Sequence, residues 1–324
     1  MVGIVGTGCY LPKKILSNFD LEKTIETTDQ WIFERTGIRE RRISSHDFYA
    51  SDMGAHAAKK ALQDSKINPS EVDLLIVATM SADMLCPSTA CIIQEKIGAS
   101  KAFAFDLNAA CSGFLFALEV AKKFLESDQY QTALVIGVEK LSSMVDWKDR
   151  GTCILFGDGA GAAVLKKNHA DHQILGAVLG SDGRGADLLK VPAGGSMMPA
   201  THETIDQRLH FIKMDGREVY KNAIDLMYRM ADETLLKCGL KREDVDLFIP
   251  HQANKRIIDA VAKKLSLPSE KIYINVDRYG NTSAASIIIA LDDARKEGRM
   301  QSGDCLLIVV FGAGFTWGGM VIRW

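Results

Sequence analysis

The sequence has almost no net charge, because 39 Lys and Arg residues nearly balance 41 Asp and Glu residues and leave a formal charge of −2. A protein that gathers polyanions over its whole surface needs a large excess of positive charge. Nucleic-acid binding by the chain as a whole is therefore disfavoured, and a polyanionic partner would have to meet a local basic patch.

The seven cysteines include no CxxC pair and are odd in number, so they do not suggest the framework of a disulfide-rich protein. They indicate a reducing compartment, and we expect a cytoplasmic protein. The opening residues MVGIVGTGCYLP have no basic leader, and glycines interrupt their apolar run. They predict a first strand and turn rather than a signal peptide.

Long apolar runs are also missing. The most apolar stretch, residues 306–322, is interrupted by four glycines and Thr316. It predicts two buried strands around a glycine-rich turn, and no membrane span is expected.

Motifs for bound cofactors are absent as well. The segment GDGAGA at residues 157–162 matches neither GxGxxG nor GK[ST], so we interpret it as a buried strand turn and not a phosphate loop. The histidines show no paired spacing of the kind that holds zinc. We expect neither a metal nor a cofactor.

What the sequence does contain is an alternation of strand-like and helical segments. Apolar runs such as residues 73–80 and 132–139 alternate with amphipathic stretches such as residues 50–65. This pattern predicts an α/β protein with a buried sheet. The 324 residues, 47% of them hydrophobic, suffice for two domains or one large α/β unit.

Two parts of the chain resemble each other. SKINPSEVDLLIVA at residues 65–78 is similar to GLKREDVDLFIPH at residues 239–251, an offset of about 173 residues. Residues 107–118 and 279–291 match in shape at nearly the same offset. We therefore predict two similar halves, residues 1–170 and 171–324, that meet between about residues 165 and 205, with an irregular loop region at about 169–210.

Cys111 is a candidate nucleophile. It lies in NAACSG, among small residues that leave room for a substrate, just before an apolar helix. A thiol there faces the positive end of the helix dipole, which favours the thiolate. The alternative is a buried structural cysteine, which is how we interpret the other six cysteines.

His251 and Asn281 are candidates for the same site. His251 follows the predicted strand DLFIP, and Asn281 precedes an apolar helix in YGNTS. Functional groups of α/β folds gather at the carboxyl ends of strands. Each residue has a structural alternative, a core or capping histidine and a helix N-cap. That three such residues lie on matched turns of two matched halves favours a shared site.

At these motifs the sequence resembles the thiolase-fold condensing enzymes, and within them the beta-ketoacyl-[acyl-carrier-protein] synthase III family. The similarity extends over essentially the whole chain, and its motifs are residues 29–42, the Cys111 turn, residues 149–164 and 214–221, HQANKRI, GNTSAAS and residues 311–318. The resemblance implies an α/β, thiolase-like fold, with two similar βαβ-type halves packed as a layered α-β-α-β-α sandwich. Cys-His-Asn is the triad of initiating synthases, whereas elongating synthases have histidine in place of Asn281.

The resemblance also implies an activity, the initiating condensation of fatty acid synthesis. Acyl-CoA would acylate Cys111, and decarboxylative Claisen condensation with malonyl-[acyl-carrier-protein] would give 3-ketoacyl-[acyl-carrier-protein], CO2 and CoA. His251 and Asn281 would hold the malonyl thioester carbonyl, and the oxyanion hole would come from the backbone of Cys111, Ala313 and Gly314. Relatives usually have glycine where this chain has Ala313. A homodimer without a cofactor is expected.

Further residues match binding positions of the family. Those for CoA are Trp31, Arg35, Arg150, Gly216, Asn254 and Arg256, and those for carrier-protein docking are Lys221, Lys255, Arg256, Lys263 and Lys264. Structural alternatives are a partly buried core aromatic for Trp31 and a solvated basic face for the lysine and arginine group.

The predicted acyl pocket consists of Cys86, Leu141, Phe156 and Leu188. Relatives commonly carry phenylalanine in place of Cys86, on a loop thought to reach the partner subunit's pocket. The smaller cysteine predicts room for a longer or branched primer, unless Met84 or Leu85 closes the pocket instead.

Two other functions stay open at this point. One is a related synthase that condenses acyl-CoA units in secondary metabolism, and the other is a non-catalytic acyl-CoA-binding subunit. The presence of Cys111, His251 and Asn281 together argues against the second.

Overall fold

The computed structural model describes residues 1–169 and 171–324. Its strands are β1 (Val2–Tyr10), β2 (Lys14–Ser17), β3 (Glu40–Ile43), β4 (Leu74–Ala78), β5 (Phe103–Leu107), β6 (Thr132–Glu139), β7 (Gly159–Lys167), β8 (Gln173–Ser181), β9 (Leu189–Lys190), β10 (Lys213–Met214), β11 (Leu247–Pro250), β12 (Cys305–Gly312) and β13 (Thr316–Arg323). Its helices are α1 (Asn18–Leu21), α2 (Asp29–Thr36), α3 (Ala50–Ser65), α4 (Thr89–Ile97), α5 (Gly113–Glu126), α6 (Arg150–Cys153), α7 (His202–Asp206), α8 (Gly216–Lys237), α9 (Lys255–Leu265), α10 (Val276–Tyr279) and α11 (Ala285–Lys296).

The main sheet repeats one topology twice. Its strand order is β11-β12-β13-β8-β1-β7-β6-β4-β5. In the first half, β1 is followed outward by β7, β6, β4 and β5, and in the second half, β8 is followed outward by β13, β12 and β11. In both directions two antiparallel pairings are followed by a parallel one. Ile272 bridges β11 in parallel at the place that β5 occupies in the first half. Within the sheet, the halves are joined by β1 and β8, which pair in antiparallel at Gly3 and Gln173.

Both faces of each half-sheet are covered by helices. In β4, Leu74 and Ile76 pack into a central cluster with α5 and α11, whereas Leu75 and Val77 pack against α3 and α4. The second half is arranged in the same way, since α8 and α9 cover the outer faces of β11 and β12. Successive residues of a strand point to opposite faces, and strands buried on both faces are therefore apolar throughout. The predicted α-β-α-β-α sandwich is confirmed, while the boundary at residue 170 stays a prediction.

Glycines allow the central helices to approach the sheet closely enough to build a site. A Cβ on Gly137 of β6 would lie 2.6 Å from the carbonyl oxygen of Ala284, which directly precedes α11. A Cβ on Gly161 of β7 would lie 2.4 Å from Ile288 of α11. Because these positions lack side chains, the first turn of α11 lies directly against the carboxyl end of β6.

The structure differs from the sequence prediction in the region 169–210. That region was expected to be irregular, yet it contains the nine-residue strand β8. Glycines interrupt the apolar pattern that would predict this strand. They are needed there because a Cβ on Gly176 would collide with Cys238 and a Cβ on Gly180 with Trp317. The predicted strands around the glycine-rich turn of residues 306–322 are present as β12 and β13. Among the described helices, none is both long enough and apolar enough to cross a membrane.

Candidate active site

Cys111, His251 and Asn281 line one cavity of about 100 Å³. Cys111 follows β5, His251 follows β11, and Asn281 precedes α11, so all three come from turns at matching ends of the two half-sheets. The structure thus brings the three residues together. Predicted positions Gly216, Asn254 and Phe156 line the same cavity.

Cys111 lies on a single 3-10 turn, Ala110–Ser112, that leads into α5. Ala110 has a φ of 47°, a left-handed conformation that a residue with a side chain adopts only when its surroundings enforce it. Burial raises the pKa of the Cys111 thiol to about 12; hydrogen bonding with the Ser283 side chain lowers it, and the charge of Glu139 raises it. Burial therefore outweighs the thiolate-favouring effect that the helix start predicts, and the thiol must lose its proton during attack.

His251 is a buried, neutral imidazole. Its backbone N–H donates to the Val309 carbonyl at 2.8 Å, which fixes the residue at the end of β11. Its Nδ1 atom lies 2.7 Å from the Ser286 hydroxyl of α11. Burial lowers the pKa of His251 to about 4. If the hydroxyl donates to Nδ1, Nε2 carries the proton and is the donor of the ring.

Asn281 presents its amide nitrogen as a donor. The backbone N–H of Ser283 donates to Asn281 Oδ1 at 2.8 Å, so the accepting atom of the side chain is occupied and Nδ2 remains. The Asn281 backbone donates to the Leu155 carbonyl at 2.8 Å and accepts from the Gly157 N–H at 3.0 Å. Both ends of the residue are therefore fixed.

A second cavity of about 450 Å³ borders Cys111 on the side of the β12–β13 turn. Ala313, Gly314 and Phe156 line it. The backbone N–H groups of Cys111 and Ala313 donate to no other residue in the described parts of the chain. Thr316 Oγ1 donates to the Ala109 carbonyl at 2.8 Å and so ties this turn to the Cys111 turn. Cys111 and Ala313, the residues that carry these two backbone donors, both line the second cavity.

Only one of the four predicted acyl-pocket residues lines this second cavity, namely Phe156. Leu141 packs in a buried cluster with Phe156. Leu188 is partly buried against the core under α8, and Cys86 lies exposed on the loop before α4. Residues that the sequence did not single out line the cavity instead: Met80, Met144, Leu189, Val191 and Ile212. They lie on or beside irregular segments, and no periodic pattern marks them.

The predicted CoA residues Trp31, Arg35 and Arg150 form a stack near the surface. The guanidinium carbons of Arg35 and Arg150 lie 4.4 and 4.7 Å from the centre of the Trp31 ring. Asn254 joins this stack to the first cavity, since its Nδ2 atom donates to the Arg35 carbonyl at 3.0 Å. Asn254 also caps the start of α9 through its Oδ1 atom.

The predicted docking residues differ in how far their charge is neutralised. Lys255 pairs with Asp259 at 2.7 Å, and Lys264 pairs with Asp225 at 2.5 Å. Arg256, Lys221 and Lys263 have no carboxylate partner among the described residues. Arg256 instead lies over the Tyr220 ring, with its guanidinium carbon 5.5 Å from the ring centre. Arg256 and Lys221 each neighbour in sequence a residue that lines the first cavity, Ile257 and Tyr220 respectively.

Another cavity of about 680 Å³ lies beside β2 and α1 and is lined by none of the predicted site residues. Within residues 1–169 and 171–324, no group of three or more His, Cys, Asp and Glu side chains could hold a metal ion.

The chain is similar over its whole length to known proteins of one family. The profile described as 3-oxoacyl-[acyl-carrier-protein (ACP)] synthase III matches residues 105–183, and that of its C-terminal region matches residues 235–324. A beta-ketoacyl-[acyl-carrier-protein] synthase III of Caldanaerobacter subterraneus subsp. tengcongensis is 53% identical over 322 residues, which cover 99% of this chain and 97% of that protein. The chain belongs to the 3-oxoacyl-[acyl-carrier-protein] synthase III family.

Solved structures of this family have the same fold. The crystal structure of 3-oxoacyl-[acyl-carrier-protein] synthase III from Aquifex aeolicus matches with a TM-score of 0.92, 46% identity and full coverage of both chains. A priming beta-ketosynthase from the R1128 polyketide biosynthetic pathway matches with a TM-score of 0.92 and 34% identity, over 99% of this chain and 96% of that one. The fold of this chain is therefore shared with a priming ketosynthase of polyketide biosynthesis.

Proposed function

We propose that this protein acts as the initiating condensing enzyme of fatty acid synthesis, with Cys111 as the residue that carries the acyl group. The observation that supports the proposal best is the convergence of Cys111, His251 and Asn281 on one largely apolar cavity. Acyl transfer needs a nucleophile and oxyanion donors within reach of one carbonyl, and the two free backbone N–H groups beside Cys111 supply the donors.

In the first half-reaction, Cys111 Sγ attacks the thioester carbonyl of a short acyl-CoA. The carbonyl oxygen becomes an oxyanion and accepts hydrogen bonds from the N–H groups of Cys111 and Ala313. The alanine at 313 serves as well as glycine, because the donor belongs to the backbone. CoA then leaves as the thiol, and the acyl group remains on Cys111.

In the second half-reaction, malonyl-[acyl-carrier-protein] replaces CoA. Asn281 Nδ2 and His251 Nε2 donate to the malonyl thioester carbonyl and stabilise the enolate that forms when CO2 leaves. A neutral His251 suits this role when Ser286 donates to Nδ1, since Nε2 then keeps its proton. The enolate carbon attacks the acyl-Cys111 carbonyl, and Cys111 leaves to give 3-ketoacyl-[acyl-carrier-protein].

The surface residues around the first cavity are suited to bind CoA and the acyl carrier protein. The planar Trp31 ring and the guanidinium groups of Arg35 and Arg150 suit an adenine and the phosphates of CoA. Arg256 and Lys221 offer unpaired positive charge to an acidic carrier protein, with Lys263 farther along α9. Lys255 and Lys264 contribute less, because each faces a carboxylate of its own.

The exposed edge of the first half-sheet is suited to be the interface of a homodimer. Strand β5 ends the sheet, and its Phe103 forms an aromatic cluster with Phe124 and Tyr130 that remains partly exposed. Unpaired edges with apolar side chains favour pairing with another chain. Leu85, next to Cys86, is 95% exposed and would be covered by a partner subunit. A cytoplasmic location and the absence of a cofactor remain predictions.

Mass spectrometry tests the proposal directly. After incubation with acetyl-CoA, the peptide that contains Cys111 should carry the acetyl group, and Cys111→Ala should lose both the label and turnover. Cys153→Ala is a matched control, since Cys153 is also buried but lines neither cavity. Acylation of another residue would overturn the assignment. Turnover with malonyl-CoA in place of the malonyl carrier protein would favour a synthase of secondary metabolism.

A further inference from the structure

Glu139 is a fully buried carboxylate at the end of β6 that the steps above do not use. Its oxygens accept hydrogen bonds from the segment that follows β4: the N–H groups of Met80 and Ser81 at 3.2 and 3.1 Å, and the hydroxyls of Thr79 and Ser81. This many donors hold the carboxylate in one orientation. One of its oxygens, Oε1, also faces α11 and the active site.

Ser283 connects this carboxylate to the nucleophile. Its Oγ atom donates to Glu139 Oε1 at 3.0 Å. Hydrogen bonding with the same side chain is among the influences that lower the pKa of the Cys111 thiol. Ser283 lines the same cavity as Cys111. Its φ is 47°, a left-handed conformation that a residue with a side chain adopts only when its surroundings enforce it.

Acylation requires such a connection, because the Cys111 thiol is protonated and must lose its proton as the new bond forms. Burial raises the pKa of Glu139 to about 7, although hydrogen bonds from Ser81 and Ser283 lower it. A group that titrates near neutral pH both accepts and returns a proton efficiently. On the other side of the site, His251 has its Nδ1 atom engaged by Ser286.

Other charged groups close to Glu139 in the sequence or the sheet form hydrogen bonds with other partners. Lys140, the next residue, donates its ammonium to carbonyls of Ser45, His46 and Phe48. Asp158, which precedes the paired strand β7, accepts from the backbone N–H of Ser44 and from Ser142. From the β4 and α11 sides Glu139 meets hydroxyl and N–H groups, and its charge raises the pKa of the Cys111 thiol.

We propose that Ser283 and Glu139 form a proton relay for the acylation of Cys111. As Cys111 Sγ bonds to the thioester carbonyl carbon, the thiol proton passes to Ser283 Oγ and the Ser283 hydroxyl proton passes to Glu139. When the bond between that carbon and the CoA sulfur breaks, Glu139 returns the proton through Ser283 to the CoA thiolate, which leaves as the thiol. The relay rests on the proposed role of Cys111 as the acylated residue.

The test is the single-turnover rate of Cys111 acylation by acetyl-CoA without an extender, followed by intact-protein mass spectrometry between about pH 5.5 and 8.5. Because the relay needs ionised Glu139, the rate in the unmodified enzyme should rise with pH through an inflection near 7. Ser283→Ala and Ser283→Gly should acylate about 10²-fold more slowly and lose that inflection. Both keep the backbone N–H that holds Asn281, and glycine tolerates the left-handed φ.

Ser142→Ala is the matched control, because Ser142 Oγ donates to the buried Asp158 carboxylate at 2.6 Å away from Cys111. It should keep the rate and the inflection. An equal loss at every pH in the Ser283 variants, with the inflection retained, would indicate a structural role and overturn the relay. Normal rates in these variants would overturn it too. Absence of acylation at Cys111 in the unmodified enzyme would instead refute the proposed function.

Discussion

The hydroxyl of Ser286 lies 2.7 Å from Nδ1 of His251, and both groups are buried. A neutral imidazole has one donor and one acceptor nitrogen, and the partner of one nitrogen determines which is which. Ser286 is therefore in a position to select the tautomer of His251. A donating hydroxyl makes Nε2 the proton-bearing nitrogen, which is the form that can stabilise an enolate oxygen.

We predict that Ser286→Ala slows decarboxylation of the malonyl thioester by about tenfold with little change in KM, because the fraction of His251 with its proton on Nε2 falls. Acylation of Cys111 by acyl-CoA should stay near normal. The two half-reactions are measured separately, the first by mass spectrometry and the second by CO2 release. A change confined to KM would contradict the role of Ser286 in orienting the proton.

Asn281→Asp and His251→Ala should both lose decarboxylation by about 10²-fold or more, the scale of one lost oxyanion donor. In Asn281→Asp, the Ser283 N–H still has an acceptor, so the turn is preserved while the donor disappears. Self-acylation of Cys111 should fall less than decarboxylation. Normal CO2 release in both variants would show that the malonyl carbonyl is held by other groups.

The sequence predicts the fold well because its halves repeat. The strands β4 and β11 and the turns that carry Ala110 and Ser283 lie about 173 residues apart in the chain and occupy matching places in the sheet, and the two turn residues share a φ of 47°. A repeated pattern of apolar residues identifies such elements without knowledge of the packing. Strand β8 could not be predicted in this way. Its glycines are needed to make room for Cys238 and Trp317, which are distant in sequence.

The site is predictable to the same extent. Cys111, His251 and Asn281 lie in distinctive motifs beside strands or helices, and the structure brings them to one cavity. Glu139 and Ser286 carry no local signal, since their importance arises from contacts between segments more than thirty residues apart. The residues that line the second cavity come from irregular segments whose path depends on tertiary packing. Contacts of this kind are invisible to periodicity and motif spacing.

Reversal of a docking charge should weaken binding of the carrier protein specifically. We predict that Arg256→Glu raises the KM for malonyl-[acyl-carrier-protein] several-fold, with an effect that diminishes as salt is added. Lys264→Glu makes the same change in charge at a residue already paired with Asp225 and should have a smaller effect. Acyl-CoA labelling of Cys111 serves as the reference. An equal loss with both substrates would mean that Arg256 serves CoA instead.

Gly319→Ala should destabilise the protein by about 1–3 kcal/mol through overpacking. A Cβ at this position in β13 would lie 2.1 Å from Thr234 Oγ1 and 2.9 Å from the Met230 carbonyl of α8. Gly183→Ala is the control, because its Cβ would meet nothing within 4 Å. The free energy of unfolding in denaturant gives the comparison. Addition of Thr234→Ala to Gly319→Ala should recover part of the loss, and equal stability of the two glycine variants would contradict the packing.

The primer preference tests the role of the loop that carries Cys86. If this loop closes the acyl pocket of a partner subunit, a cysteine leaves apolar volume where a phenylalanine ring would fill it. Each additional buried CH₂ contributes roughly 0.8 kcal/mol, so two or three favour a longer primer by tenfold or more. We predict that kcat/KM stays high for acyl-CoAs longer than acetyl-CoA and that Cys86→Phe shifts the preference back to acetyl-CoA. Cys91→Phe, at an exposed cysteine on α4, controls for the added ring. A steep fall beyond acetyl-CoA in the unmodified enzyme would mean that another side chain, such as the neighbouring Leu85, closes the pocket.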